Sequence, residues 1–271
     1  ASGLESGKVL SVCKHFPGHG DTDVDSHKAL PVLPFTRERL DSVELYPFKE
    51  AIRAGVSGMM VGHLQVPVIE PIGDLPSSLS RNVVYGLLTE ELAFKGLIFT
   101  DALAMKGVAG NKSVCLQALQ AGNDMVLAPR RLKEEMDAVL EAVEKGELPE
   151  EEINAKCRKV LTYKYILGLE RKPFVKLSGL GTRINTPQTR DLISRLNLAA
   201  ITVLNNKNDV LPLHPDLKEA AILNVGKPEE IEPFDRKMKK YTSFARFQLR
   251  KDLPEAEQQK LRDSLAAYRR V

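Results

Sequence analysis

The amino-acid sequence predicts an α/β protein built on a parallel sheet, and two observations carry that prediction. Short apolar, β-like runs alternate with longer amphipathic segments, as in βα units joined by crossover helices. Titratable residues then stand where three of the apolar runs end: Lys14 and His15 after the first, His63 after the second and Asp101 after the third. Functional groups at the C-terminal ends of successive parallel strands are the pattern of a (β/α) barrel. A doubly wound sheet gathers its ligands at the same ends, so the pattern alone leaves both architectures open.

In chain order, the expected strands are residues 9–13 (VLSVC), 58–62 (GMMVG), 97–100 (LIFT) and 125–128 (MVLA). Amphipathic helices are expected over 40–54, 83–93, 113–121 and 132–145. Gly55 and Gly122 follow two of them, where a left-handed cap is favoured. A long helix over 150–169, closed by Gly168, ends this region. A full barrel takes eight units and about 250 residues, whereas four units are visible here. The simplest account is therefore a fragment that begins in mid-fold: 1–170 is the C-terminal half of a (β/α)8 TIM-type barrel. A Gly/Pro/Ser/Thr-rich linker follows over 171–187, and 188–271 is the first part of a second α/β domain. That domain should hold a helix near 188–200, strands over 201–204 and 220–225, and a helix from about 254 to 270 with no further strand.

The totals exclude several function classes. Lys and Arg number 39 against 36 Asp and Glu, a formal charge of +3, which leaves no basic footprint for nucleic acid. The stretch RKMKK at 236–240 reads as a solvated helix face. Cys13, Cys115 and Cys157 follow no metal or redox spacing and read as small buried residues. No apolar run reaches the ~20 residues of a membrane span, and ASGLESGKVL lacks the charge and apolar stretch of a signal peptide.

The densest chemistry lies in KHFPGHGDTDVDSH, residues 14–27, which packs three His, three Asp and one Lys into fourteen positions. Gly18 and Gly20 permit tight turns and Pro17 fixes the exit from the strand. Asp21, Asp23 and Asp25 alternate as in a calcium loop, but an EF-hand needs Gly sixth and Glu twelfth, where Ser26 and Val32 stand. Zinc ligation by His15, His19 and His27 matches no common spacing. A plain polar loop with locally satisfied histidines is the bland alternative.

The segment resembles the signature of glycoside hydrolase family 3, in its β-N-acetylglucosaminidase branch. LIFTDALAMKGV (97–108), MMVGHLQVP (59–67), SSLSRNVV (77–84) and the AITVLNN…VLPL entry to the second domain extend the likeness from Val9 to Leu213. The resemblance implies a retaining glycosidase that removes terminal β-linked N-acetylglucosamine from cell-wall muropeptides or chitin-like oligosaccharides. By that likeness Asp101 is the nucleophile, His27 the acid/base and Asp25 its partner, while Lys14 and His15 bind sugar hydroxyls. His63 is expected to line the pocket, and His19 to brace the loop. The second domain is then the start of an α/β sandwich. The chemistry suits these residues: a carboxylate at a strand end can attack an anomeric carbon, and an imidazole titrating near neutrality can both give and take a proton. Asp101 could instead be a helix N-cap.

The likeness implies no cofactor and no metal, and a carbohydrate as partner rather than nucleic acid or membrane. Family barrels place further sugar-binding residues on their first strands, so the chain alone is expected to be weakly active or inactive without a first half-barrel. Two-domain relatives tip the compartment towards the cell envelope or periplasm over the cytoplasm. A β-glucosidase or xylosidase of the same family would not be expected to carry Asp25-Ser26-His27. A Schiff-base aldolase using Lys14 leaves the loop without a task, and a non-catalytic sugar-binding fragment would not need Asp25, His27 and Asp101 together.

Overall fold

A computed structural model describes residues 1–271 except 27, 72, 172–174, 205, 207–210, 213–219, 242–243 and 269–271. The chain divides into two compact units, Ala1–Val175 and Lys176–Val271. In the first, β1 (Val12–Phe16), β2 (Gly58–Val61), β3 (Leu97–Ala102) and β4 (Met125–Leu127) form one parallel sheet in the order β1-β2-β3-β4. Each strand is added beside its predecessor. A doubly wound sheet reverses direction at a switch point, so the monotonic order decides the alternative left open by the sequence: this is half of a TIM-type barrel. Among the described residues no strand pairs with the outer edge of β1 or of β4.

The helices sit where the apolar periodicity places them: Tyr46–Arg53, Val114–Ala121, Leu132–Glu144 and Glu150–Ile166. Asn82–Glu91, and Leu40–Glu44 ahead of the first helix, are wound more widely, with i→i+5 hydrogen bonds closing their ends. Gly122 caps its helix at φ +117°, as the sequence suggests. The core joins Phe16, Met59, Val61 and Ile98 of the sheet to Leu40, Leu45, Val84, Leu87 and Leu88 of the covering helices. Of the three cysteines Cys115 is buried, its thiol pushed up to about 12 by burial and the neighbouring Glu135. Cys157 is exposed on helix Glu150–Ile166, contrary to its expected burial. That helix buries no residue fully, so an apolar neighbourhood in sequence does not guarantee cover.

Two departures in the strands matter for function. β1 runs three residues further than its apolar run, because Lys8 turns at φ +58° and residues 9–11 precede the ladder, so Lys14 and His15 lie inside the strand. β1 and β3 also slip in register against their neighbours at their polar residues. Cys13 faces Met59 and Phe16 faces Val61, while Phe99 faces Met125 and Ala102 faces Leu127. In each case three steps along one strand match two along its neighbour. An extra residue of this kind re-aims side chains, here Lys14 and His15 on β1, Thr100 and Asp101 on β3.

At the opposite end of the sheet Glu5 ties β1 to the start of β2. Its carboxylate accepts from Ser11 N–H (2.9 Å), Ser11 Oγ (2.6 Å), Ser57 N–H (3.1 Å) and Ser57 Oγ (2.9 Å). Burial pushes its pKa up, but the donors of Ser11 and Ser57 together hold it down at about 2. A depressed folded pKa stabilises the fold above the ordinary carboxylate value, and that contribution disappears as pH falls from about 4.5 towards 2. Glu5→Gln should therefore lower Tm at pH 7 by several degrees, about 2 kcal/mol for hydrogen bonds to a charged group. The gap to the wild-type chain should close as the pH approaches 2, which a thermal melt series reads directly.

The second unit contains helix Pro187–Ala200, β5 (Ala221–Val225), helix Pro228–Met238, β6 (Ala245–Leu249) parallel to β5, and helix Glu255–Leu265. It departs from expectation in three places. Residues 201–204 form no strand, although ITVL is rich in β-branched residues, and they pair with no strand among the described residues; composition of this kind does not by itself make a strand. A helix and β6 follow β5 where no further strand was expected; the alternation in ARFQL is the signal that marks β6. The segment read as linker carries a short helix, Leu180–Ile184.

Candidate active site

The polar residues of β1 and β3 meet at the C-terminal end of the sheet. Phe16 is fully buried and packs edge-to-face on Phe48 at 5.3 Å, which anchors β1 and leaves His15 half-buried beside β3. Both the Lys14–His15 and Phe16–Pro17 peptide bonds are cis. The chain then turns at Gly18, whose N–H donates to the His15 carbonyl (2.9 Å) and whose φ is +137°. A Cβ there would lie 2.8 Å from Glu44 Cβ, so the position needs glycine on both counts. Arg39 locks this corner, pairing with buried Glu44 and with Asp21, both at 2.9 Å.

The loop is braced from within. His19 Nδ1 lies 2.7 Å from Thr22 Oγ1 and Nε2 lies 3.0 Å from Ser26 Oγ, so one imidazole spans the loop with both nitrogens engaged. Thr22 and Ser26 were not singled out in the sequence, since contacts at i+3 and i+7 of a glycine-rich loop have no spacing rule. The chain turns again after Asp25, whose carbonyl accepts from Lys28 and Ala29 N–H. His27 lies outside the described residues.

Asp101 stands at the end of β3 with its side chain 14% exposed. Its Oδ1 accepts from Ala102 N–H at 2.7 Å, and its Oδ2 lies 3.5 Å from His15 Nε2. No helix starts at Asp101, which belongs to the strand. An open pocket of ≈ 520 Å³ brings Lys14, His15, His19, Asp25 and Asp101 to one cavity. Among the described residues no group of three or more His, Cys, Asp or Glu side chains gathers as a metal cage.

His63 is placed elsewhere than the sequence suggests. It is fully buried and does not line the pocket. Its Nδ1 meets Ser78 Oγ at 2.7 Å and its Nε2 meets the Ala102 carbonyl at 3.1 Å. Burial drives its pKa down against the opposing pull of that carbonyl and of Asp101, which favours the neutral ring. A carbonyl only accepts, hence Nε2 carries a proton, and in the neutral ring Nδ1 then accepts from Ser78 Oγ. The residue sits at the end of β2 as expected, but on the buried side.

Residues 1–163 match the family described as Glycosyl hydrolase family 3 N terminal domain. The chain belongs to glycoside hydrolase family 3. It is 32% identical over 232 residues to "Beta-hexosaminidase A" of Pseudoalteromonas piscicida, an alignment covering 78% of this chain and 38% of that protein. Over 129 residues it is 42% identical to "Beta-hexosaminidase" of Nitrosospira multiformis, covering 46% of this chain and 36% of the relative. Among solved family 3 structures, that of a β-N-acetylglucosaminidase from Paenibacillus superposes with a TM-score of 0.83 at 31% identity, covering all of this chain and 54% of the other. A beta-glucoside phosphorylase, BglX, superposes with a TM-score of 0.81 at 25% identity, covering 94% of this chain and 49% of the other. The chain thus spans about half or less of the length of these relatives.

Proposed function

We propose that this chain supplies the nucleophile and acid/base loop of a retaining β-N-acetylglucosaminidase acting on cell-wall muropeptides or chitin-like oligosaccharides. One juxtaposition carries the reading: Asp101 and Asp25, far apart in sequence, face the same pocket, with Asp101 oriented by Ala102 N–H and His15. Asp101 attacks the anomeric carbon as His27 passes its proton to the departing glycosidic oxygen. Water then displaces Asp101 from the glycosyl-enzyme while His27 takes back a proton, and the β configuration returns. Asp25 orients the imidazole and stabilises its charged form. Lys14 and His15 hold sugar hydroxyls beside the nucleophile.

The pocket is open and lined by the loop after β1, Lys14 and His15 of β1 and Asp101 of β3, and full turnover belongs to a form completed by the first half of the barrel. Two features support that need. The outer edges of β1 and β4 pair with no strand among the described residues, and such edges seek partners. Leu132, Met136 and Leu140 form an i, i+4, i+8 apolar stripe, each more than half exposed.

The test compares aryl N-acetyl-β-glucosaminides with aryl β-glucosides, in phosphate-free buffer and in phosphate, for the 271-residue chain and for a completed form. The completed form should hydrolyse the N-acetylglucosaminide without phosphate, and the chain alone should be weak. A preference for the β-glucoside, a requirement for phosphate or robust turnover by the chain alone would each overturn a stated part.

A further inference from the structure

We infer that buried His63 is a positioning residue for Asp101, acting through the backbone of Ala102. The inference rests on Asp101 being the reacting carboxylate. Ala102 is held at both ends: its N–H donates to Asp101 Oδ1 at 2.7 Å, and its carbonyl accepts from His63 Nε2 at 3.1 Å and from Met105 N–H at 3.0 Å. The carboxylate is thus oriented by an amide whose own residue cannot swing. His63 is fixed in turn, because Ser78 Oγ donates to Nδ1 (2.7 Å) and the Ser78 carbonyl accepts from the fully buried Asn123 Nδ2 (2.8 Å). A chain of hydrogen bonds therefore runs from Asn123, just before β4, through Ser78 and the end of β2 to the carboxylate on β3.

The packing supports the same role. Gly107 lies against the ring's base, and a Cβ there would come within 3.0 Å of His63 Cβ and 3.4 Å of the Ser26 carbonyl. Ser26 belongs to the brace of the acid/base loop. One glycine thus touches both the clamp under the nucleophile and the loop that would carry the proton donor. A buried imidazole must pair both ring nitrogens wherever it lies; here Nε2 meets the residue that orients Asp101, and Nδ1 is held by Ser78.

The chain itself allows a test without turnover. Hydrogen exchange at the Ala102 amide, read by NMR against Phe99 and Thr100 of the same strand, should be slow in the wild-type chain. It should stay slow in His63→Gln, whose amide nitrogen replaces the Nε2 donor. In His63→Leu it should be at least about tenfold faster while Phe99 and Thr100 keep their protection. Should His63→Leu unfold β3 as a whole, Ser78→Ala frees the ring and should still accelerate Ala102 selectively. In a completed, hydrolysing form, His63→Leu should lose about 10–100-fold in kcat with KM little changed, since misplacement of a reacting group costs on this order, and His63→Gln should restore most of it. Unchanged Ala102 exchange in both His63→Leu and Ser78→Ala, or equal kcat in the Leu and Gln forms, would overturn the inference. Failure of azide to rescue Asp101→Gly would instead overturn the nucleophile assignment, and the exchange measurement would still read the clamp.

Discussion

Asp101→Asn, made in a form completed by the first half of the barrel, is expected to lose about 10⁴-fold or more in kcat on aryl N-acetyl-β-glucosaminides. The substitution is nearly isosteric. Its amide oxygen can still accept from Ala102 N–H, as Oδ1 does at 2.7 Å, so the fold and the pocket should survive. What disappears is the charge that, on the proposed mechanism, attacks the anomeric carbon and balances the oxocarbenium-like transition state. Tm should therefore change little while turnover collapses. In Asp101→Gly the vacated space admits azide, which attacks from the nucleophile's own face and should give the α-glycosyl azide. Turnover retained in Asp101→Asn would end the assignment.

The second large effect concerns the proposed acid/base pair. His27→Ala and Asp25→Asn should each lower kcat/KM by about 10²–10⁴-fold for substrates with poor leaving groups, the usual worth of general acid catalysis. With a good leaving group, such as 2,4-dinitrophenolate, the first step needs no proton and His27→Ala should retain far more of it. The glycosyl-enzyme then waits for water without a base, so azide should accelerate turnover and give the β-glycosyl azide. The two azide products, α from Asp101→Gly and β from His27→Ala, separate the roles by stereochemistry alone. Equal losses with good and poor leaving groups would contradict the role of His27.

These effects follow from residues the sequence already singles out, and the reasons are physical. Titratable groups that follow apolar runs are legible because barrel topology sends every strand end to one face, so Lys14, His15 and Asp101 could be matched without coordinates. The half-barrel was legible in the count of βα units, and the monotonic strand order decided it against a doubly wound sheet. Other features had no local signal. The register slips at Lys14–His15 and Thr100–Asp101 depend on what the neighbouring strand offers. His63 reads like any polar residue at a strand end, and only the fold reveals that it faces Ser78 and Ala102 on the buried side. Residues 201–204 have strand-like composition but pair with no strand among the described residues, whereas the alternation of ARFQL was available and marks β6.

The central claim is that Asp101 forms a covalent bond to the sugar. The most direct measurement is to incubate a completed form with a 5-fluoro-N-acetylglucosaminyl fluoride, which forms a glycosyl-enzyme faster than water releases it, and to map the adduct by peptide mass spectrometry. The adduct should lie on Asp101 and be absent from Asp101→Asn. An adduct on another carboxylate would contradict the account. So would no adduct together with strong inhibition by a thiazoline mimic of an acetamido-derived intermediate.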